Sequence, residues 1–188
     1  MPMLTSDNGN VSYQISGSGP NALLIHGSPG SSRSWAGIAE RLADRYQVIA
    51  PDLPGYGDTS LQPAGEEPSV GYASALIETV IRHVGPPSVM AGHSYGGVVA
   101  LAVALRGNVK VKALALFEPV ALPVLRMVGD MESFDKARGT LAEYITSFEG
   151  SNHNAVQKMV DLWFGNGAFA RMPEPYTSYL RREAQNNY

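Results

Sequence analysis

The sequence predicts an α/β fold: a mostly parallel sheet flanked by helices, followed by a helical segment. Three observations carry this. Short continuous apolar runs alternate with stretches of helical spacing over residues 22–117, as in strands buried on both faces and joined by crossover helices. Gly and Pro, 20 and 13 of the 188 residues, fall between those runs and not in repeats, which is the punctuation of many tight turns. Beyond Pro119 the rhythm changes, and no later segment reads as a strand. The expected division is a sheet domain at 1–120 and a helical segment at 121–188.

Residues 11–16, VSYQIS, alternate as an early strand does, and GSGPN turns the chain. ALLIH at 22–26 is a buried strand, and HGSPGSS loops from it into a helix over 34–44 with Trp35, Ile38 and Leu42 on one side. YQVIA at 46–50 is the next buried strand, ended by PDLPGYGDTS. Residues 62–69 are polar and turn-rich. From Val70 to Val84, Tyr72, Leu76, Val80 and Val84 recur at helical spacing until Gly85-Pro86-Pro87 stops the helix. SVMA at 88–91 is a third strand, VVALAVAL at 98–105 a helix apolar on all sides and hence buried, and VKALALF at 111–117 a fourth strand. In the tail, Leu141, Tyr144, Ile145 and Phe148 mark one helix, and Val156, Met159, Val160 and Trp163 a second that Gly165 closes. A third starts after Pro175.

Composition excludes several classes of function. With 14 basic against 17 acidic residues, net −3, and no long basic run, nucleic acid is not an expected partner. The chain has no cysteine, which removes a disulfide scaffold, a thiol nucleophile and thiolate metal sites. No metal or cofactor motif occurs: Gly17-Ser18-Gly19 precedes a strand and lacks the third glycine of a dinucleotide loop. The first ten residues do not read as a signal peptide, and Val98–Leu105, the longest apolar run, is too short to span a bilayer. A cytoplasmic location, no membrane partner and no cofactor are the expectations.

The sharpest chemical signal is Gly92-His93-Ser94-Tyr95-Gly96, a G-x-S-x-G pattern between a predicted strand and a predicted helix. A nucleophile on such an elbow sits on a strained backbone, and small residues two before and two after it let strand and helix approach. The turn lifts the serine oxygen above the sheet and aims the helix N-terminus at developing negative charge.

With His26-Gly27-Ser28-Pro29-Gly30 at the end of one strand and Asp52-Leu53-Pro54-Gly55-Tyr56-Gly57 at the end of the next, the chain resembles the alpha/beta-hydrolase family over about residues 10–120. The resemblance implies Ser94 as nucleophile and the backbone N–H groups of Ser28 and Tyr95 as oxyanion donors. It implies a helical cap for 121–188, with Tyr144, Trp163 or Phe164 near the cleft. Serine sets the chain apart from the family's dehalogenases and epoxide hydrolases, which use Asp. Glu118, at the end of the fourth of these strands, is a candidate acid.

The family's catalytic histidine follows its last strand, and none of His26, His83, His93 or His153 matches that position. His26 and His93 read as loop-shaping residues, His83 as a surface or packing residue on its helix, and His153 as a residue near a helix start. The expectation is therefore a truncated fold with an incomplete cap. Its strand 111–117 would form an exposed edge that self-associates or takes a complementary C-terminal segment. The function expected is a serine hydrolase forming an acyl-enzyme with carboxylic esters or related small acyl substrates. The alternatives are a ligand-binding or inactive hydrolase-fold protein, or an inactive fragment of a longer enzyme.

Overall fold

Six strands form one sheet in the order β1-β2-β4-β3-β5-β6. They are β1 (Met3–Ser6), β2 (Gly9–Ser16), β3 (Asn21–Ile25), β4 (Gln47–Pro51), β5 (Val89–His93) and β6 (Leu114–Phe117). The β1/β2 and β2/β4 pairs are antiparallel, and β4, β3, β5 and β6 run parallel. The computed structural model describes residues 1–7, 9–60, 69–149 and 156–183. The chain divides into two units, Met1–Val120 and Ala121–Tyr188.

The continuous apolar runs are explained by burial on both sheet faces. Leu23 and Ile25 of β3 join Ile49 and Met90 in one core cluster, with Ile77, Val80 and Ile81 of α2 (Val70–Val84) and Val99, Ala100 and Val103 of α3 (Tyr95–Arg106). Leu24, one residue out of phase, joins Val48, Ala50, Ala91 and Trp35 in a second cluster. This is the two-residue period of a strand with a layer on each side.

Helix α2 occupies its expected span. Ser69 caps it by accepting from the Tyr72 N–H at 3.1 Å, and Gly85, at φ 92°, ends it. One buried charge lies on its inner side. Glu78, 2% exposed, accepts from Arg106 Nε at 2.7 Å, from Arg82 at 3.1 Å and from Asn108 Nδ2. Burial alone would push its carboxyl up. The hydrogen bonds from Arg106, Asn108 and Arg82 and the charge of Arg106 outweigh that and hold it below the ordinary value. Glu78 thereby fastens α2 to the C-terminal end of α3.

Four details differ from the sequence expectations. Strand β1 adds antiparallel to β2 through residues that carry only two apolar side chains. The helix expected over 34–44 begins as a 3-10 turn, Ser32–Trp35, before α1 (Ala36–Leu42). The tighter period rotates Trp35 into the core and leaves Ile38 46% exposed, so the two do not share a buried face. Helix α3 is not buried all round: Gly96, Gly97, Val99, Ala100 and Val103 are, whereas Leu105 is 78% exposed. An all-apolar run cannot say which face the sheet covers. The fourth of the expected strands is shortened to Leu114–Phe117, with Lys112 and Ala113 exposed before it.

In the second unit, α4 (Pro123–Met127), α5 (Met131–Glu149), α6 (Val156–Phe164) and α7 (Glu174–Glu183) are the described α-helices. Tyr144, Val156, Val160, Ala168 and Phe169 form its core. Asp161 accepts from the Phe169 N–H at 2.9 Å and holds the turn after α6. Tyr144 is 3% exposed among these residues and so belongs to that core, whereas Trp163 and Phe164 are exposed. The side chains of Ile145 and Phe148, residues 62–68 of the turn-rich stretch and His153 lie outside the described residues. No described helix is long and apolar enough to cross a membrane.

Candidate active site

Parallel strands deliver their C-terminal ends to one edge of the sheet, and the strand order decides which loops meet there. The chain leaves β3 for β4 on one side and later returns to β5 on the other. The loops after β3 and β5 therefore flank a crossover point, where open α/β sheets place their ligands. The loop after β3 begins His26-Gly27-Ser28, and β5 ends in His93, with Ser94 next in the chain.

Ser94 has φ 51° and ψ −121° between β5 and α3. A non-glycine residue in such a conformation costs about 1–3 kcal/mol and persists only where its surroundings enforce it. Here the Ser94 N–H donates to the Phe117 carbonyl at 2.9 Å, and the Ser94 carbonyl accepts from the N–H groups of Gly97 and Val98. The glycines are required by contact. A Cβ on Gly92 would strike the Gly96 carbonyl oxygen, and one on Gly96 would strike the His26 and Ile25 carbonyls. Gly27 also lies against the elbow, though less tightly: a Cβ there would lie 3.0 Å from Ser94 Cβ and 2.9 Å from His93 Nδ1.

The N–H groups of Ser28 and Tyr95 find no acceptor among the described residues, and both residues are half-buried. The Tyr95 N–H opens the first turn of α3, whose N-terminal end favours negative charge. Burial pushes the Tyr95 phenol above its ordinary value, so its side chain stays neutral. A cleft of about 110 Å³ lies beside the elbow, lined by His26, Gly27, Ser34, Trp35, Ile38 and His93. It is smaller than an ordinary ligand pocket of about 300–1,000 Å³.

The histidines separate by environment. His26 is fully buried and bonded through both ring nitrogens: Leu53 N–H donates to Nε2 at 2.9 Å, so Nδ1 carries the proton, 2.8 Å from the Gly27 carbonyl. Burial pushes its pKa down, against smaller upward effects of the Gly27 hydrogen bond and the Asp52 charge. His26 thus joins two loops and has no lone pair left for base chemistry. His93 is exposed and lines the cleft, and His83 is exposed on α2. Among the described residues no histidine is hydrogen-bonded to Ser94.

Glu118 is exposed at the end of β6 with φ 46°. With Ser94 it makes up the non-glycine positive-φ residues of the described chain. The two sit at the ends of adjacent strands, where His93 pairs with Phe117. The strain at Glu118 was not legible in the sequence, since Phe-Glu-Pro carries no glycine to announce it.

Asp52 also took no part in the sequence-stated chemistry, and it is 1% exposed. Its carboxylate accepts from the Ser32 N–H at 2.7 Å and the Ser12 hydroxyl at 2.7 Å. Thr59 closes the network by donating its hydroxyl to the Asp52 carbonyl and accepting the Ser12 N–H. Gly57 is required beside it, since a Cβ there would strike the carboxylate. Among the described residues no cluster of three or more His, Asp or Glu side chains offers a metal site.

A parallel sheet with a strained serine elbow at its C-terminal edge defines a class of fold, and the comparisons identify it. The chain belongs to the alpha/beta hydrolase family, whose model matches residues 22–186. It is 34% identical over 123 residues to the soluble epoxide hydrolase of Corynebacterium sp. (strain C12), 63% of this chain and 40% of that protein. An alpha/beta hydrolase from Sphaerobacter thermophilus DSM 20745 shares the fold with a TM-score of 0.67 at 23% identity, over 99% of this chain and 70% of the other. An esterase from Exiguobacterium antarcticum does so with a TM-score of 0.69 at 17% identity, over 97% and 66%. The chain spans less than half the length of the curated relatives it matches.

Proposed function

We propose that this chain carries the nucleophile and oxyanion donors of a serine hydrolase acting on carboxylic esters or related acyl compounds. The observation that supports it most is the backbone of Ser94: strained, held by hydrogen bonds at its N–H and carbonyl, and closed in by glycines on both sides. In the reaction Ser94 Oγ bonds to the acyl carbon as its proton passes to a base. The carbonyl oxygen takes up negative charge toward the Ser28 and Tyr95 N–H groups. The ester C–O bond then breaks, the proton passes to the leaving alkoxide, and water hydrolyses the acyl-enzyme. One such donor contributes about 3–4 kcal/mol to the transition state. Glu118 is the candidate acid on its strained position beside the elbow. The unit 121–188 is proposed as a cap.

A second reading, a binding or inactive member of the family, is favoured by one observation: no described histidine is bonded to Ser94. Labelling of a full-length chain with a fluorophosphonate probe, read by intact mass, decides between the two, because it needs an activated serine. Stoichiometric labelling that Ser94→Ala abolishes is the expected result. No labelling, or labelling that survives Ser94→Ala, overturns the serine-hydrolase reading.

A further inference from the structure

The loop 26–32 and the loop 52–57 are tied together three times. Leu53 N–H donates to His26 Nε2, Ser32 N–H donates to Asp52 Oδ1, and the hydroxyls of Ser28 and Tyr56 share a short hydrogen bond. The first two anchor the ends of the 26–32 loop through buried partners. The third falls on Ser28 itself, the residue next to the elbow whose N–H finds no acceptor among the described residues. Tyr56 is 3% exposed and cannot swing away. Its ring meets His26 edge-on at 5.3 Å, its N–H donates to the Leu53 carbonyl at 2.9 Å, and its carbonyl accepts from Thr59. A hydroxyl on a rigid buried ring thus grips the side chain of a half-buried loop residue.

We propose that Tyr56 is a positioning residue for the oxyanion donor: its hydroxyl, through Ser28 Oγ, fixes the direction of the Ser28 backbone N–H. This rests on the serine-hydrolase reading for its catalytic consequence and on the hydrogen bond alone for its structural one. An N–H aimed in advance stabilises developing charge without reorganising at the moment of reaction. A donor left free to rotate loses part of that effect while binding of the neutral ground state is unchanged. Removing a whole donor costs about 10²–10³ in rate, so loosening one is expected to cost about tenfold.

The test uses a full-length chain and its Tyr56→Phe, Ser28→Ala and Ser28→Thr variants, with two readouts. In ¹⁵N–¹H spectra without ligand, Tyr56→Phe is expected to shift the Ser28 amide and lower its heteronuclear NOE, leaving Leu23 and Val99 unmoved. In fluorophosphonate labelling, Tyr56→Phe and Ser28→Ala are each expected to lower the maximal inactivation rate about tenfold with the reversible inhibition constant unchanged. The double variant should be no slower than either single one, and Ser28→Thr, which keeps the hydroxyl, should retain the rate. An unmoved Ser28 amide overturns the proposal, as does a parallel loss of rate constant and inhibition constant. If the wild-type chain does not label, the serine-hydrolase reading fails by itself, and the amide spectrum still decides for or against the Tyr56 contact.

Discussion

Gly96→Ala isolates the steric requirement of the elbow. Gly96 lies in the first turn of α3, at a φ that alanine tolerates, so helix propensity alone favours the substitution by about 1 kcal/mol. The surroundings oppose it. The new Cβ would strike the His26 carbonyl oxygen and lie 2.5 Å from the Ile25 carbonyl oxygen and 2.8 Å from the His26 carbonyl carbon. All three are backbone atoms of β3 and its continuation and cannot rotate aside as the end of a side chain could. Relief requires α3 to move from the sheet by roughly 1 Å, an overpacking of the kind that costs about 1–3 kcal/mol and here falls at the upper end. The net expectation is a loss of about 2 kcal/mol. With a urea dependence of about 1–3 kcal/mol per molar, the midpoint falls by roughly 1 M.

Gly37→Ala is the matched control. It sits in α1, and a Cβ there meets nothing within 4 Å, so only propensity acts and stability rises by about 0.5–1 kcal/mol. The same chemical change thus carries opposite signs at two helical glycines. Urea titrations followed by circular dichroism at neutral pH measure both. A Gly96→Ala protein as stable as wild type, or both substitutions shifting the midpoint upward, would falsify the close approach of α3 to β3 on which the elbow depends.

Two further predictions concern pH. His26 is neutral in the fold with its pKa lowered by burial. Below about 6.5 the unfolded chain therefore binds a proton that the folded chain does not, and stability falls as pH drops from 7.5 to 5.5. His26→Gln should flatten that limb, and an unchanged limb in urea titrations at the two pH values refutes the assignment. Glu78 is held below its ordinary value, so its contribution is present above about pH 4.5 and is lost as pH falls through the lower folded value. Glu78→Gln should cost about 1–2 kcal/mol at pH 7, because its arginine partners are partly exposed. It should also lose less than wild type on acidification, and equal acid sensitivity of the two proteins counts against the cluster.

The parts of the fold legible in sequence were those set by local chemistry. Helix α2 declared its whole span because Ser69, a four-residue apolar stripe and Gly85-Pro86-Pro87 each act within one turn. Strands β3, β4 and β5 declared themselves because burial on both faces demands unbroken apolar runs. What failed depended on partners distant in sequence. Strand β1 exists because β2 offers it an edge, and nothing in Met3–Ser6 says so. Leu105 is exposed because the sheet covers only one face of α3, which composition cannot report.

The candidate site divides along the same line. The elbow was readable because its glycines keep a fixed spacing around the serine: a Cβ on Gly92 would strike the Gly96 carbonyl oxygen within the elbow itself, whereas the clash of a Cβ on Gly96 with Ile25 and His26 comes from the neighbouring strand. His26 was readable as a loop-shaping residue, but its partner and the roles of Asp52 and Tyr56 were not, since each depends on β4 lying beside β3 on the side away from β5. Only the Leu53 N–H, delivered by the adjacent strand, occupies Nε2 and makes His26 a joint between loops. By the same strand order the loop 26–32 lies between the loop 52–57 and the elbow, and hydrogen bonds join it to the loop 52–57. Changes at Asp52 or Tyr56 should therefore act on Ser94 by moving His26-Gly27-Ser28, which meets the elbow where a Cβ on Gly96 would strike the His26 carbonyl oxygen and where a Cβ on Gly27 would lie 3.0 Å from Ser94 Cβ.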